Sequence, residues 1–298
     1  MLHVVHHPAY VARPQPGAHQ FSKYGLVMDL LRAEAPDLVE HRPEPMGREW
    51  LERAHDADYV GQVLRCAVPS AIERRIGFKV TEDVARRAHL SPGGTWLAAK
   101  LALEHGYAAN AAGGSHHAHH DTGAGYCVFN DLAVAALRLL AEGDVRRILI
   151  VDCDVHQGDG TAAIFAGRRD VWTLSIHAEK NYPVRKPPST LDIGLPDGTN
   201  DEEYVAALAP ALERMLDIGR PDLVLYQGGV DVHADDKLGR LALSDAGIAA
   251  RDRLVAEAAR RLGLPLASTM GGGYGADSLP VARRHAAVMQ TLAAVLTP

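Results

Sequence analysis

The segment "LIVDCDVHQGDGT" at positions 149–161 places acidic and imidazole side chains directly after an apolar run. In an extended chain successive side chains point to opposite faces, so Asp152, Asp154 and His156 lie on one side of it. Carboxylate and imidazole groups two residues apart can bind one cation, and zinc accepts both as ligands. A catalytic zinc typically takes three protein ligands, and Asp231 in "QGGVD" is the candidate for the third. The pattern predicts a metal site on Asp154, His156 and Asp231.

A lone aspartate at a strand end more often caps a helix than binds a metal. Here four polar residues at fixed spacing, together with a second aspartate in a matching loop, favour metal binding over capping. A pair of manganese ions would need more ligands near Asp231 than the sequence offers. We therefore expect one zinc ion, with Fe²⁺ as the alternative, and we expect the flanking glycines to let the backbone approach it.

His116 and His117 in "GGSHHAHHD" are candidates for proton transfer. Adjacent histidines can act as general base and electrostatic partner when a carboxylate orients each of them. Asp152 and Asp159, which are not among the predicted metal ligands, are the candidates for orienting the two histidines. The alternative is a solvated histidine-rich loop or an adventitious metal patch.

The neighbouring histidines of the same segment, His119 and His120, are expected to be solvated loop residues. Tyr274 in "GGGYG" is a candidate donor to a carbonyl oxygen that gains negative charge. An ordinary half-buried tyrosine is the alternative. Phosphate binding by this loop is disfavoured because both the P-loop Lys-Ser/Thr and the spacing of a dinucleotide fingerprint are missing.

A regular framework must bring these segments together. Short apolar runs that predict strands alternate with amphipathic stretches that predict helices. The predicted strands cover residues 2–5, 107–112, 147–152, 171–176, 222–227 and 264–269. The predicted helices cover residues 22–34, 94–105, 130–142, 201–217, 245–262 and 278–295, several of them beginning at capping residues: Asn130, Asn200 and Ser244.

Apolar strands that are separated by helices predict a three-layer α/β fold with a mostly parallel central sheet. No linker divides the chain, so residues 1–298 are expected to form a single domain. Five of the predicted strands are followed by polar or glycine-rich segments. In such sheets functional residues gather in the loops beyond the carboxyl ends of the strands, which is where these segments lie.

Composition excludes several classes of function. The net charge of -6 gives no reason to expect nucleic-acid binding. The three cysteines form no CxxC pair, which favours a reducing compartment. Neither a secretory signal nor an apolar run near the ~20 residues of a membrane span is present. We expect a soluble cytoplasmic protein without a membrane partner, and the composition indicates no oligomeric state.

In combination, "DCDVHQGDGT", "GGSHHAHHDTGAGYCVFND", "GGVD" and "GGGY" resemble the zinc-dependent histone deacetylase superfamily, which has the arginase-like α/β fold. The resemblance extends from "HQFSKYGLVMDLL" through "HDADYV" to "GGGYG", almost the whole chain. The "HQG" and "NYP" segments are most similar to the class IV branch, the histone deacetylase 11-like proteins and their bacterial relatives.

The resemblance implies the same metal triad, pairs His116 with Asp152 and His117 with Asp159, and makes Tyr274 the residue that polarises the carbonyl. It adds a structural potassium ion near Asp152, Asp154, His156, Ser175 and Ile176. It also implies a substrate channel lined by Gly125, Tyr126, Tyr182, Gly272 and Gly273. Tyr182 is the candidate for one wall although "HAEKNYPVRKPP" departs from the "GFFPG" of class I enzymes.

The activity that the resemblance implies is hydrolysis of the amide bond of N-ε-acyl-lysine in proteins or peptides. A deacetylase of small acylated amines such as acetylpolyamines is the alternative, and the lack of an obvious inserted loop mildly disfavours it. A non-catalytic acyl-lysine binding module would require loss of a functional residue, yet all are present. An arginase-type ureohydrolase would need ligands for two manganese ions, which we do not find.

Overall fold

The computed structural model describes residues 1–12 and 19–297. Eight strands form one sheet in which every neighbouring pair is parallel, in the order β2-β1-β3-β8-β7-β4-β5-β6. The strands are β1 (Leu2–Val5), β2 (Leu38–His41), β3 (Tyr107–Asn110), β4 (Ile148–Asp152), β5 (Val171–Ala178), β6 (Leu191–Leu195), β7 (Leu223–Gln227) and β8 (Leu266–Thr269). The predicted α/β fold is confirmed, and the sheet is parallel throughout.

Helices flank this sheet. They are α1 (Lys23–Glu34), α2 (Arg48–Ala54), α3 (Ala57–Leu64), α4 (Ser70–Ile76), α5 (Glu82–His105), α6 (Asp131–Glu142), α7 (Asp159–Ile164), α8 (Asp201–Gly219), α9 (Asp245–Arg261) and α10 (Ser278–Leu296). Helices α1, α10, α9 and α8 pack side by side in that order, whereas α5 packs on α6. Within the described residues no helix is both long and apolar enough to cross a bilayer.

The capping residues were predicted correctly. The side chain of Asn130 accepts from the backbone N–H of Ala133, and Ser244 accepts from that of Gly247. Asn200 forms a full capping box, in which Glu203 bonds back to the Asn200 backbone. These bonds satisfy N–H groups that a helix start leaves without partners.

The sequence pattern missed the edges of the sheet and the start of α5. The edge strands β2 and β6 are only partly buried, so they lack the apolar run that marks the central strands. Helix α5 begins at Glu82 rather than at residue 94 and contains Pro92. Proline and the two glycines that follow it predict a break. The helix nevertheless continues through them, and its packing explains the glycine at 93, where a Cβ would overlap the carbonyl oxygen of Glu44.

Four central strands end at the same level. Asp152 pairs with Gln227, Gln227 with Thr269, and Thr269 with Asn110 in the parallel register. The loops that follow β3, β4, β7 and β8 therefore meet at one edge of the sheet. This edge is the crevice in which open α/β sheets bind ligands.

His55, between α2 and α3, fastens the histidine-rich loop to the start of α6. Its Nδ1–H donates to the carbonyl oxygen of His119 at 2.8 Å, and its Nε2 accepts from the backbone N–H of Asn130 at 2.9 Å. The bond that Nε2 accepts requires the neutral ring. Burial lowers the pKa of His55 to about 4.

Because the folded protein keeps His55 neutral, its free energy of unfolding should decrease as the pH falls. The unfolded chain binds the proton near the ordinary pKa of about 6.5, so the contribution is full above that pH and is lost as the pH falls toward 4. We expect His55 to account for a loss of about 2 kcal/mol in unfolding free energy by pH 5. In urea titrations between pH 7 and 5, His55→Gln should flatten the decline, whereas the exposed-site control His120→Gln should not. Equal slopes in all three proteins would contradict the assignment.

Candidate active site

The loops after β4 and β7 bring the three predicted metal ligands together. Nδ1 of His156 lies 3.1 Å from Oδ1 of Asp154 and 3.2 Å from Oδ2 of Asp231. One ligand atom from each residue lies within 4.8 Å of the other two, and all three residues are buried. The arrangement has the ligand types and spacing of a site for one cation.

Hydrogen bonds orient both carboxylates toward His156. Oδ2 of Asp154 accepts from the backbone N–H of Gly272 at 2.7 Å, and Oδ1 of Asp231 accepts from that of Val155 at 2.9 Å. Oδ2 of Asp231 is buried and accepts no hydrogen bond from any described residue. It contacts Nδ1 of His156 at 3.2 Å, and a divalent cation between the two would neutralise the buried carboxylate. These donors fit zinc or Fe²⁺.

The field at this point is strongly negative. Burial opposes a charge on His156, but its contacts with Asp154 and Asp231 prevail and raise its pKa to about 10. Burial and the nearby charge of Asp154 raise the pKa of Asp231 to about 7. The field that holds a proton on His156 is the same field that would favour a metal cation at its Nδ1.

Two glycines allow the backbone to approach the triad. A Cβ on Gly272 would overlap Oδ2 of Asp231, and a Cβ on Gly229 would contact the side chain of Asp154. Any larger residue would displace a carboxylate. The close approach expected from the sequence is therefore seen at both loops.

His116 and His117 each contact an aspartate, in the predicted pairing. Nδ1 of His116 lies 2.6 Å from Asp152, and Nδ1 of His117 lies 2.6 Å from Asp159. The two Nε2 atoms lie 3.1 Å apart, which is hydrogen-bond distance for one shared proton. The expectation of a solvated loop fails for His119, because its Nε2 contacts the other oxygen of Asp159 at 2.9 Å.

The two histidines differ in charge. Burial alone would lower the pKa of His116, but the charges of Asp152 and Asp154 outweigh it and raise that pKa to about 9. Burial, followed by the positive charge of His116, lowers the pKa of His117 to about 3. Around neutral pH one ring therefore carries a proton that the other lacks, as acid–base chemistry requires.

A cavity of about 300 Å³ leads from the surface to these groups. Tyr126 and Tyr182 lie in its walls, half exposed, and the Tyr182 ring meets the His117 ring edge-on at 4.8 Å. Gly125 and Tyr126 both have positive φ, which is uncommon for tyrosine and is often found at functional sites. The lining residues are Arg75, Ile76, Gly77, His117, Gly125, Tyr126, His156, Asn181, Tyr182, Leu238 and Tyr274.

Tyr274 joins this lining, with its ring 6.4 Å from the His156 ring. Burial and the charges of Asp231 and Asp154 hold the pKa of its phenol well above the ordinary range, so it stays protonated as a donor. The predicted channel residues Gly272 and Gly273 lie deeper. Gly272 borders a smaller inner cavity, and Gly273 faces Lys23, whose Nζ lies 3.4 Å from its carbonyl oxygen.

Ser175 and Ile176, predicted near potassium, are buried in β5. Asp152 pairs in register with Ser175, so the potassium candidates lie on adjacent strands. Oγ of Ser175 lies 3.0 Å from Nδ1 of His177.

Sequence reasoning missed Arg251, a fully buried residue of α9. Its Nη1 donates to the carbonyl oxygens of Cys153 at 3.1 Å and Gly229 at 2.6 Å, while the guanidinium pairs with Asp252. These carbonyls belong to the two loops that carry the triad, so one side chain joins them. In the sequence "ARDRLVAEAARR" this arginine is indistinguishable from exposed ones, and only burial identifies it.

The described geometry can be compared with known proteins. A family model for the histone deacetylase domain matches residues 18–291. The chain belongs to the histone deacetylase family. Members of this family are hydrolases, and the triad described above is a group of side chains that could hold a metal ion. The class IV subtype stays a prediction.

Relatives of this family member come from diverse organisms. An uncharacterized protein of Picosynechococcus is 44% identical over 95% of both chains. Histone deacetylase 2 of Arabidopsis thaliana is 34% identical over 66% of this chain and 52% of its own, so the match spans about half of the plant protein. A probable deacetylase of Methanothermobacter thermautotrophicus is 29% identical over 93% of this chain and 86% of its own.

A solved structure agrees on the fold. The crystal structure of the HDA15 HD domain matches with a TM-score of 0.80 and covers 100% of this chain and 89% of the other, at 20% identity. The agreement confirms the arginase/deacetylase architecture predicted from the sequence.

Gly272→Ala tests the close approach of the backbone to the triad. The added methyl group should displace the Asp231 carboxylate, so we expect at least tenfold weaker zinc binding and a loss of a few kcal/mol in stability, as is typical of overpacking. Chelator competition and urea unfolding measure the two effects. Gly25→Ala is the control, because its Cβ meets only the side chain of Val11. Unchanged zinc affinity in Gly272→Ala would contradict the geometry.

Proposed function

We propose that this protein hydrolyses the amide bond of N-ε-acyl-lysine, with zinc as the preferred ion and Fe²⁺ as the alternative. One observation carries the proposal: three candidate metal ligands and two carboxylate-paired histidines lie side by side, and His117, His156 and Tyr274 of this group line one cavity. Amide hydrolysis needs a polarised carbonyl, a deprotonated water and a proton for the leaving amine, and each group serves one of these needs.

Asp154, His156 and Asp231 would hold the ion. A divalent ion bound there supplies Lewis acidity to the carbonyl oxygen and lowers the pKa of water toward about 7. The family resemblance adds potassium near Asp152 and Ser175, which stays a prediction.

The histidine pairs move protons. His117 is the neutral ring, so its Nε2 is the acceptor suited to take a proton from the attacking water. His116 carries a proton that can pass to the departing amine nitrogen. Asp159 and Asp152 hold Nδ1 of the two rings, which leaves the two Nε2 atoms 3.1 Å apart and available for proton transfer.

Tyr274 supports the carbonyl. Its phenol stays protonated at neutral pH and can donate a hydrogen bond to the oxygen as negative charge develops there. Tyr126 and Tyr182 in the cavity walls would enclose the aliphatic part of the acyl-lysine side chain, since aromatic rings bury apolar chains well.

The activity is tested with one lysine peptide that carries acetyl, butyryl, octanoyl or myristoyl groups. The zinc-loaded protein should release free lysine peptide, and Asp154→Ala should abolish the release because the triad loses a ligand. The dependence of the hydrolysis rate on the length of the acyl group shows how long an acyl chain the cavity accepts. If no peptide reacts although zinc is bound, acyl-lysine is the wrong substrate class.

Tyr274→Phe separates carbonyl stabilisation from metal binding. Removal of one such donor costs about 10²–10³ in kcat, while zinc content should stay at the wild-type level. Steady-state kinetics and metal analysis on the same preparation give both values. A variant with wild-type turnover would remove Tyr274 from the mechanism.

A further inference from the structure

We propose that the mouth of the cavity selects acyl-lysines that are flanked by acidic residues. The proposal rests on the proposed function and names its substrate class more closely. The observation behind it is a group of exposed cationic side chains around the cavity, which we call the basic rim: Arg74, Arg75, Lys79, Lys180, Arg185 and Lys237.

Three segments that line the cavity carry the basic rim, at residues 73–79, 179–186 and 235–238. Hydrogen bonds fix them around the mouth. The carbonyl oxygen of Arg75 accepts from the backbone N–H of Gly125 at 3.0 Å, and the backbone N–H of Lys237 donates to the carbonyl oxygen of Tyr274 at 3.0 Å.

The second and third segments are also joined to each other. Nδ2 of Asn181 donates to the carbonyl oxygen of Leu238 at 2.8 Å, and both residues line the cavity. Arg75 is itself a lining residue, so at least one charge of the basic rim faces any substrate that enters. The backbone that carries these charges is therefore anchored at the mouth of the cavity.

The cations of the basic rim are free to bind a partner. Across the described residues, none of the six forms an ion pair with a carboxylate or donates a side-chain hydrogen bond. Exposed cations elsewhere on the chain do form such pairs, for example Arg32 with Glu40 and Arg240 with Asp197.

Most carboxylates of the same segments are already engaged. Glu73 accepts from the backbone N–H of Val80, and Asp235 pairs with Arg284. Asp236 accepts from three backbone N–H groups, at Leu238, Gly239 and Tyr274. Among the described residues of these segments, Glu179 is the one carboxylate without a hydrogen bond or ion pair, and Asp235 is exposed but paired.

The rim differs in sign from the molecule as a whole. The three segments contain seven lysines and arginines against four aspartates and glutamates, whereas the whole chain has a net charge of -6. A local patch of one sign attracts partners of the opposite sign and repels those of its own. Acidic peptide segments fit this mouth, whereas basic segments and small polycationic amines do not.

The experiment compares three acyl-lysine peptides that differ only in their flanking residues: glutamates, serines or lysines. With the zinc-loaded protein at low ionic strength, we expect kcat/KM to be at least tenfold higher for the glutamate peptide than for the lysine peptide. The difference should shrink as salt is added, since screening weakens attraction between exposed charges. Acetylspermidine is the fourth substrate and should be the poorest.

Charge reversal at the basic rim tests its role directly. Arg74→Glu combined with Lys180→Glu, two exposed positions of the basic rim that do not line the cavity, should abolish or invert the preference between the glutamate and lysine peptides, with little change in kcat/KM for the serine peptide. Arg214→Glu combined with Arg253→Glu is the matched control. It makes the same change in net charge on α8 and α9, which line no part of the cavity.

The outcomes separate the two proposals. If no acyl-lysine peptide reacts, the proposed function fails. If all three react at equal rates, or if the rim and control variants behave alike, the function stands and the basic rim has no role in selection. Fastest turnover of the lysine peptide or of acetylspermidine would also overturn the inference.

Discussion

The burial of several carboxylates at the carboxyl edge of the sheet is the constraint on which the rest of the structure depends. Asp152, Asp154, Asp159 and Asp231 are all buried there, and burial of a carboxylate without a partner is among the costliest events in folding. Every neighbouring feature reduces that cost: imidazoles face the carboxylates, backbone N–H groups point at their oxygens, and the triad leaves room for a cation. The chemistry proposed for the site uses the same charges.

Two buried side chains outside the cavity hold the loops that carry these carboxylates and histidines. Arg251 brings a positive guanidinium to the carbonyl side of both ligand loops, and Asp252 balances it. His55, which is uncharged, holds the histidine-rich loop in place, because its ring bonds a carbonyl oxygen on one side and a backbone N–H on the other. Neither residue reaches the cavity, yet both determine where the reactive side chains lie.

The sequence indicated which side chains would lie close together at the candidate site, but it did not indicate the residues that support them. Asp154, His156 and Asp231 were proposed from alternation in an extended segment and from matching loops, although β4 ends at Asp152 and both Asp154 and His156 lie in the loop beyond it. The histidine–aspartate pairs followed from the resemblance. The three-layer fold followed from apolar runs in the central strands. The edge strands β2 and β6 were not predicted because half-buried strands lack such runs. The predicted start of α5 was too late because a proline such as Pro92 normally breaks a helix. Arg251 and the shared contact of His119 with Asp159 depend on long-range packing, which no local pattern encodes.

The level register of the four central strands limits how such a protein can change. A residue added within β3, β4, β7 or β8 would shift one loop by about 3.3 Å and turn its side chains to the opposite face. Insertions beyond Asn181 or near Leu238, by contrast, alter the mouth and leave the strand ends in place. New specificities can therefore arise by lengthening the loops, whereas the strands beneath them tolerate no change in length.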